Sequence, residues 1–479
     1  MVFETRTLPV IALGLLASCN IFNTTGGLPF LITVNGAVTP AGARGSQIFL
    51  SGGNFGSVQG NSQVLFSNAL GGLTVPGTIA QASDWSDNYI IITVPTGAFS
   101  GGMIVQTSNG TSSIKEFTVS PDVPNIPSTL FTPSAVSWTP SNSLPVGLSG
   151  NALVYARVRA TGVDTGFVYS IGGADNTGTP TNDVEYAVVA ADGSLGAWTP
   201  AGSTGLPAVA FHAAVAATPR NSFASSPGFL YVLGGATNSA GTIYRATLSA
   251  TGTVGAWSSI GTLPAALHSL SAMVYLGSLY VVGGATSGNA PVATVYRTAI
   301  QIDGSIGAWQ NQGSLPGPRA RLGIGALGNY VYAIGGDSAT LAPDDTVSSK
   351  ATATVFYGKL QPGSRNITSW AATGPLQTPR SAHSVVIAGG SILVTGGLYS
   401  GRLTGSNEAS YATITPADGT VGSFTVATGG TKLTSNLFNH AATGYLAGLS
   451  GSSPTFHVLV VGGDDVNSPG TKHVQTFTY

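Results

Sequence analysis

The sequence has almost no cysteine: Cys19 is the only one in 479 residues. No disulfide framework can form within the chain, so the fold must rest on apolar burial and backbone pairing. Charge is equally scarce. Lys, Arg, Asp and Glu together make 7% of the residues, against about 25% in an average soluble protein. The net charge is −1, and neither sign forms a run. Without a basic stripe, nucleic-acid binding has no electrostatic footing, and a membrane surface would feel no charge attraction. Beyond the N-terminus no apolar stretch has the length of a spanning helix. There is no Gly-x-Ser-x-Gly elbow, His-Glu-x-x-His pair or phosphate-binding loop. The surface must therefore be covered by Ser, Thr, Asn, Gln, Gly and Ala. A neutral, hydroxyl-rich coat of that kind suits an extracellular structural or adhesive protein.

Glycine is abundant, with 67 residues, and six Gly-Gly pairs close short apolar runs. These are VYSIGG (Val168–Gly173), LYVLGG (Leu230–Gly235), LYVVGG (Leu279–Gly284), VYAIGG (Val331–Gly336), ILVTGG (Ile392–Gly397) and VLVVGG (Val458–Gly463). Successive pairs lie 62, 49, 52, 61 and 66 residues apart. Each pair is followed by a loop of variable length, then a strand such as Thr242–Leu248 or Thr294–Ile300, then a tight turn such as Asp192-Gly193, Asp303-Gly304 or Asp418-Gly419. Glycine accepts positive φ at no steric cost, so Asp-Gly is a strong hairpin signal. An aromatic residue comes next: Trp198, Trp257, Trp309, Trp370 or Phe424. Such rings would fill the wedge that radial packing leaves between neighbouring units. The sixth unit stops at Tyr479 without its aromatic strand, and Ala135–Pro140, around Trp138, matches the missing piece. The expectation is that this N-terminal strand completes the last unit and closes a ring.

A repeat near 50 residues built of short strands resembles the kelch family, over residues 134–479. The resemblance implies an all-β chain with a six-bladed kelch-type β-propeller, whose function lies in loops or in the central channel. The Arg and His found at the start of kelch units are present in Pro379-Arg380-Ser381-Ala382-His383 and partly in Pro318-Arg319 and His268. A Cys–Tyr crosslinked copper site of the galactose-oxidase kind is excluded, because Cys19 is the only cysteine. The sialidase Asp-box order is not met by Ala191–Trp198.

Residues 1–18 look like a bacterial lipoprotein signal peptide. Arg6 is the basic flank, Leu8–Leu16 is an apolar core too short to span, and Leu16-Ala17-Ser18-Cys19 matches a lipobox. Cys19 is then the lipidation site, and residues 19–27 form a tether. Residues 28–119 carry short strands at regular intervals, the pattern of a sandwich. Gly52-Gly53-Asn54-Phe55-Gly56, Ile92-Thr93-Val94-Pro95 and Ser100-Gly101-Gly102 resemble an IPT/TIG domain, an immunoglobulin-like β-sandwich. Residues 120–133 are proline-rich and read as a semi-rigid linker.

Four of the six histidines, His212, His268, His383 and His440, follow the step between units. They read either as a ring around the axis or as side chains bonded to neighbouring backbone. Arg319, Arg321 and Arg380 begin inner strands of adjacent units, where they could bind a carboxylate or sugar acid or serve structural pairing. Asp344-Asp345 and Asp464-Asp465 are loop acids that could ligate calcium or stay solvated; no metal and no cofactor is expected. The loops after the Gly-Gly pairs vary most. The longest, Asp337–Lys350, carries Asp344, Asp345 and Lys350 and is the best single expectation for partner contact. The function expected is that of a non-catalytic, lipid-anchored protein of the bacterial envelope, at the outer membrane or cell surface, binding a glycan or protein and no nucleic acid. The alternative is a carbohydrate-active or sugar-isomerising enzyme using the channel, with Arg319, Arg321, Arg380 and His383 as its candidates.

Overall fold

A computed structural model describes residues 28–34, 41–42, 44, 47–67, 73–99, 101–119, 137–160, 163–217, 228–275, 278–301, 303–327, 330–341, 350–361, 365–388, 390–401, 404–415, 418–427, 432–447, 455–465 and 470–478. Cys19, Asp344 and Asp345 lie outside the described residues. The fold is all-β, with one short 3-10 turn at Ala82–Asp84.

Two sheets form from residues 28–119. Phe30–Val34, Gln47–Gly53 and Tyr89–Thr93 make one; Ala41–Gly42, Lys115–Val119, Gly101–Thr107, Gln63–Ser67 and Leu73–Pro76 make the other. They share one core, in which Ile48, Leu50, Ile90 and Ile92 meet Val64, Phe66, Met103, Val105 and Phe117. Alternating apolar residues along each strand put these side chains on the facing surfaces. Asn54 takes a positive φ of 59°. This turns the chain so that Phe55 is buried and its carbonyl accepts the indole N–H of Trp85 at 3.1 Å.

The remainder is six antiparallel four-stranded sheets, taken here in chain order. Their strands, innermost first, begin with sheet one, Ala152–Ala160, Val163–Ile171, Val184–Val189 and Thr199–Pro200. Sheet two has Ala213–Ala217, Phe229–Leu233, Thr242–Thr247 and Ser258–Thr262; sheet three has Ser271–Tyr275, Ser278–Val282, Val292–Ala299 and Gln310–Arg319. Sheet four has Gly323–Leu327, Tyr330–Ile334, Val355–Leu360 and Ile367–Thr373; sheet five has Ser384–Ala388, Ser391–Thr395, Ala409–Thr413 and Thr425–Val426. Sheet six has Ala441–Ala447, Thr455–Val461, Val474–Thr478 and, from the other end of the chain, Thr139–Pro140. There Thr139 pairs with Thr476 and Pro140 with Gln475, while Trp138 meets Phe477 edge-on at 4.7 Å. Each innermost strand lies against those of the neighbouring sheets, and that of sheet six lies against that of sheet one. This cyclic order is compatible with a propeller-like arrangement.

Each Gly-Gly pair follows the second strand of a sheet, and its role is geometric. Both glycines have positive φ in all six pairs, for example 64° and 115° at Gly234 and Gly235, a region that other residues occupy at a cost. The N–H of the second glycine donates to a carbonyl that leads into the next sheet. The acceptors of Gly173, Gly235, Gly284, Gly336, Gly397 and Gly463 are Val209, Leu267, Arg319, Arg380, Leu437 and Leu148, at 2.7 to 3.1 Å. The last of these joins sheet six to sheet one.

The tyrosine in the motif makes a second link, at the opposite end of the strand. Tyr169, Tyr231, Tyr280 and Tyr332 donate their hydroxyls to the carbonyls of Gly252, Gly304, Arg365 and Gly419 in the next sheet, at 2.8 to 2.9 Å. These carbonyls belong to the connections between third and fourth strands. Sheet six has Leu459 at this position, and Tyr445 of its innermost strand reaches Gly193 of sheet one at 2.9 Å instead. Sheet five has Leu393. Its neighbour, sheet six, takes its fourth strand from the N-terminal side of the chain, so among the described residues no third-to-fourth-strand connection receives a hydroxyl. The tryptophans fill the wedges: Trp198 packs with Leu459, Val461 and Val474 of sheet six, and Trp309 donates its indole N–H to Thr262 of sheet two at 3.0 Å.

Candidate functional site

The loops that follow the Gly-Gly pairs emerge at one end of the ring, and the axis there is closed by the backbone itself. Gly150, Phe211, Ser269, Arg321, Ala382 and Asn439 each stand two residues before an innermost strand, with φ between 50° and 60°. Each N–H donates to the carbonyl of the corresponding residue in the preceding sheet. Phe211 bonds Gly150, Ser269 bonds Phe211, Arg321 bonds Ser269, Ala382 bonds Arg321, Asn439 bonds Ala382, and Gly150 bonds Asn439, at 2.8 to 3.0 Å. Six hydrogen bonds thus run head to tail in a closed circle. Five of the six residues are not glycine, so the left-handed conformation is imposed by the surroundings. Nothing in the sequence marks these positions. The link is made by main chain, which any residue type but proline supplies, and only a constant spacing before the strand betrays it.

The side chains at this end are bonded into the scaffold. Asp337, the residue after a Gly-Gly pair, is fully buried and accepts from Arg321 Nη2 at 2.7 Å and Nε at 2.9 Å. Asp464, the corresponding residue of sheet six, accepts from Ser149 Oγ at 2.5 Å, Asn439 Nδ2 at 3.1 Å and the Gly470 N–H at 2.9 Å. Arg380 is 1% exposed and donates to Glu408 at 2.6 Å and to the Gly396 carbonyl at 3.1 Å. Arg319 lies 5.2 Å over the Phe356 ring and donates to the Pro318 carbonyl at 2.7 Å; burial lowers its pKa. The three arginines therefore have three separate sets of partners and do not converge on one point. Of the loop residues singled out in the sequence, Lys350 is exposed. Its backbone closes the loop, accepting from Ser338 N–H at 3.0 Å.

The histidines divide into two kinds. His212, His383 and His440 each stand one residue after the hydrogen-bonded circle, whereas His268 stands one before it. His268 points to the loop face, 3.0 Å from the Thr286 carbonyl and 3.1 Å from Ser269 Oγ. The other three tuck under the first glycine of the preceding pair. A Cβ on Gly172, Gly335 or Gly396 would come within 3.0 Å of the ring carbon of His212, His383 or His440. Burial pushes these imidazoles down to about 4, about 3 and about 4, with the Arg380 charge adding to the effect at His383. Neutral and enclosed at pH 7, they are not poised for general acid–base work. Among the described residues no group of three or more His, Cys, Asp or Glu is placed to hold a metal ion, and no helix is long and apolar enough to cross a membrane.

Neighbouring loops are tied laterally. Leu341 donates its N–H to Asn289 O at 2.9 Å, Val209 to Thr181 O at 2.8 Å, and Ala351 to Ser400 Oγ at 2.9 Å. The described parts of these loops are thus joined to one another around a closed axis.

No family model matches the sequence, and no curated protein matches it. Among solved structures, the one described as "Structure of YjhT" is similar at 14% identity, covering 70% of this chain and 95% of that chain, with a TM-score of 0.48.

Proposed function

We propose that this chain is a non-catalytic, lipid-anchored protein of the bacterial envelope, in which an IPT/TIG-like sandwich carries a six-bladed kelch-type propeller that serves as a binding or adhesion platform for a glycan or protein. The domain limits that go with this reading are 28–119 for the sandwich, 120–133 for the linker and 134–479 for the propeller. One observation carries the platform reading. Arg321, Arg380 and the buried acid Asp337 are engaged with scaffold partners and His212, His383 and His440 are packed against glycines of the frame, while the loops after the Gly-Gly pairs share one face. Scaffold bonds hold a ring together, and loops that vary in length on a fixed frame are where recognition residues accumulate.

The anchor is tested at Cys19. In the native bacterial host, Cys19→Ala should move the protein from the detergent phase to the aqueous phase, or leave it unprocessed. A variant that is cleaved and still partitions with detergent would end the lipoprotein reading. The platform is tested with residues 28–479 on a glycan array and in pull-downs from envelope extracts. Asp337 must be kept in any loop exchange, because it neutralises buried Arg321. Replacing residues 342–349 with a Gly-Ser turn, together with Lys350→Ala, should leave the melting temperature within a few degrees and weaken binding at least tenfold. Binding that survives this exchange and equivalent exchanges in the other five loops would rule out the loop face as the platform.

A further inference from the structure

The six junctions between neighbouring sheets share the Gly-Gly link and the axial circle, but they differ at the other end. Five carry a buried tyrosine hydroxyl bond across the junction, from Tyr169, Tyr231, Tyr280, Tyr332 and Tyr445. Among the described residues the junction between sheets five and six carries no such bond: Leu393 stands at the tyrosine position, and sheet six, assembled from the two ends of the described ring, has no chain connection between its third and fourth strands. This same junction encloses His440. Its Nε2 is 3.0 Å from Thr395 Oγ1, its ring carbon lies against Gly396, and its carbonyl accepts from Ser384 Oγ at 2.7 Å. We propose that the ring is built to open at the junction between sheets five and six, and that protonation of His440 triggers the opening.

The groups facing His440 give it no counter-charge. From sheet five come the Thr395 hydroxyl and the Gly396 backbone, both neutral. His383, which stands before the innermost strand of sheet five, is electrostatically coupled to His440; Arg380 beyond it is neutralised by Glu408. On its own sheet the carboxylate of Asp464 is held by Ser149, Asn439 and the Gly470 N–H. A proton on His440 would thus be buried without a counter-charge. The folded chain holds this imidazole at about 4, below the ordinary value of 6.5. Its stabilising contribution is complete above pH 6.5 and is lost as the pH falls towards 4. His212 feels a similar penalty and His383 a larger one, but their junctions keep Tyr169 and Tyr332 as clamps. Opening would free the edges of the innermost strands, which are competent to pair with another chain.

The test is hydrogen–deuterium exchange of the full chain between pH 7.5 and 4, corrected for the intrinsic rate at each pH. The strands Ser391–Thr395 and Ala441–Ala447 should lose protection first, by tenfold or more relative to the second and innermost strands at the five clamped junctions. His440→Gln should move that onset to lower pH. Tyr332→Phe should add the junction between sheets four and five to the acid-labile set, since His383 is already there. Uniform loss, earlier loss at a clamped junction, or a Tyr332→Phe map identical to the wild type would overturn the proposal. The wild-type map alone decides the location of opening if the His440 variant fails to fold.

Discussion

Deletion of residues 472–479 should leave the chain unable to accumulate as a soluble monomer. The strand Val474–Thr478 sits in the middle of sheet six, paired with Thr455–Val461 on one side and with Thr139–Pro140 on the other. Its loss removes buried Val474, Gln475 and Phe477 and strips the N-terminal strand of its only ladder partner among the described residues. The exposed edge of Thr455–Val461 is then a template for association. A milder version isolates the closure: Trp138→Ala removes a ring that is 6% exposed and stacked edge-on against Phe477. Loss of a buried tryptophan costs about 3–5 kcal/mol. Size-exclusion chromatography and thermal melts read both. A truncated chain that stays monomeric and melts at the wild-type temperature would show that the ring does not depend on this clasp.

The second large effect is expected at a single atom. Gly234→Ala should destabilise the protein by about 4 kcal/mol or more, at the high end of single substitutions. Two costs add there. The residue has φ of 64°, which costs a side-chain-bearing residue about 1–2 kcal/mol. The new Cβ would also run into the backbone carbonyl oxygen of Leu267 and the Leu270 side chain. That carbonyl cannot retreat, because it is held by the N–H of Gly235 at 3.1 Å. Gly178→Ala is the control: its φ is 79°, yet a Cβ there meets nothing within 4 Å. It should show only the conformational cost. Chemical denaturation of both variants separates the two; equal losses would mean that close approach contributes nothing at Gly234.

Much of the ring was readable because its demands are local. A Gly-Gly pair needs two positive φ values and room for a carbonyl, and only glycine meets both, so the requirement is written as residue type. The Asp-Gly turns are similar: Asp192, Asp303 and Asp418 each accept from a Ser or Thr two residues on, at 2.6 to 2.9 Å, a bond made within the turn itself. Which partner each of Arg319, Arg321 and Arg380 takes was not readable in this way. Their partners, Phe356, Asp337 and Glu408, lie 16 to 37 residues away in sequence, and short spacing between arginines says nothing about which junction each side chain enters. The different placement of His268 was hidden for a related reason. It falls two residues out of register with His212, His383 and His440, and so meets the loop face instead of a buried glycine.

By itself the sequence determined the all-β character, the spacing of the repeated sheets and the turns that separate their strands, because periodicity, glycine and turn chemistry act over a few residues. The scarcity of charge also follows from composition. Only the tertiary structure decided which carboxylate neutralises which arginine, which junction goes without a tyrosine clamp, and that the axis is closed by six backbone hydrogen bonds. Those features depend on contacts between segments tens to hundreds of residues apart. The last of them uses main-chain groups that every residue except proline carries, so the choice of side chain scarcely records it.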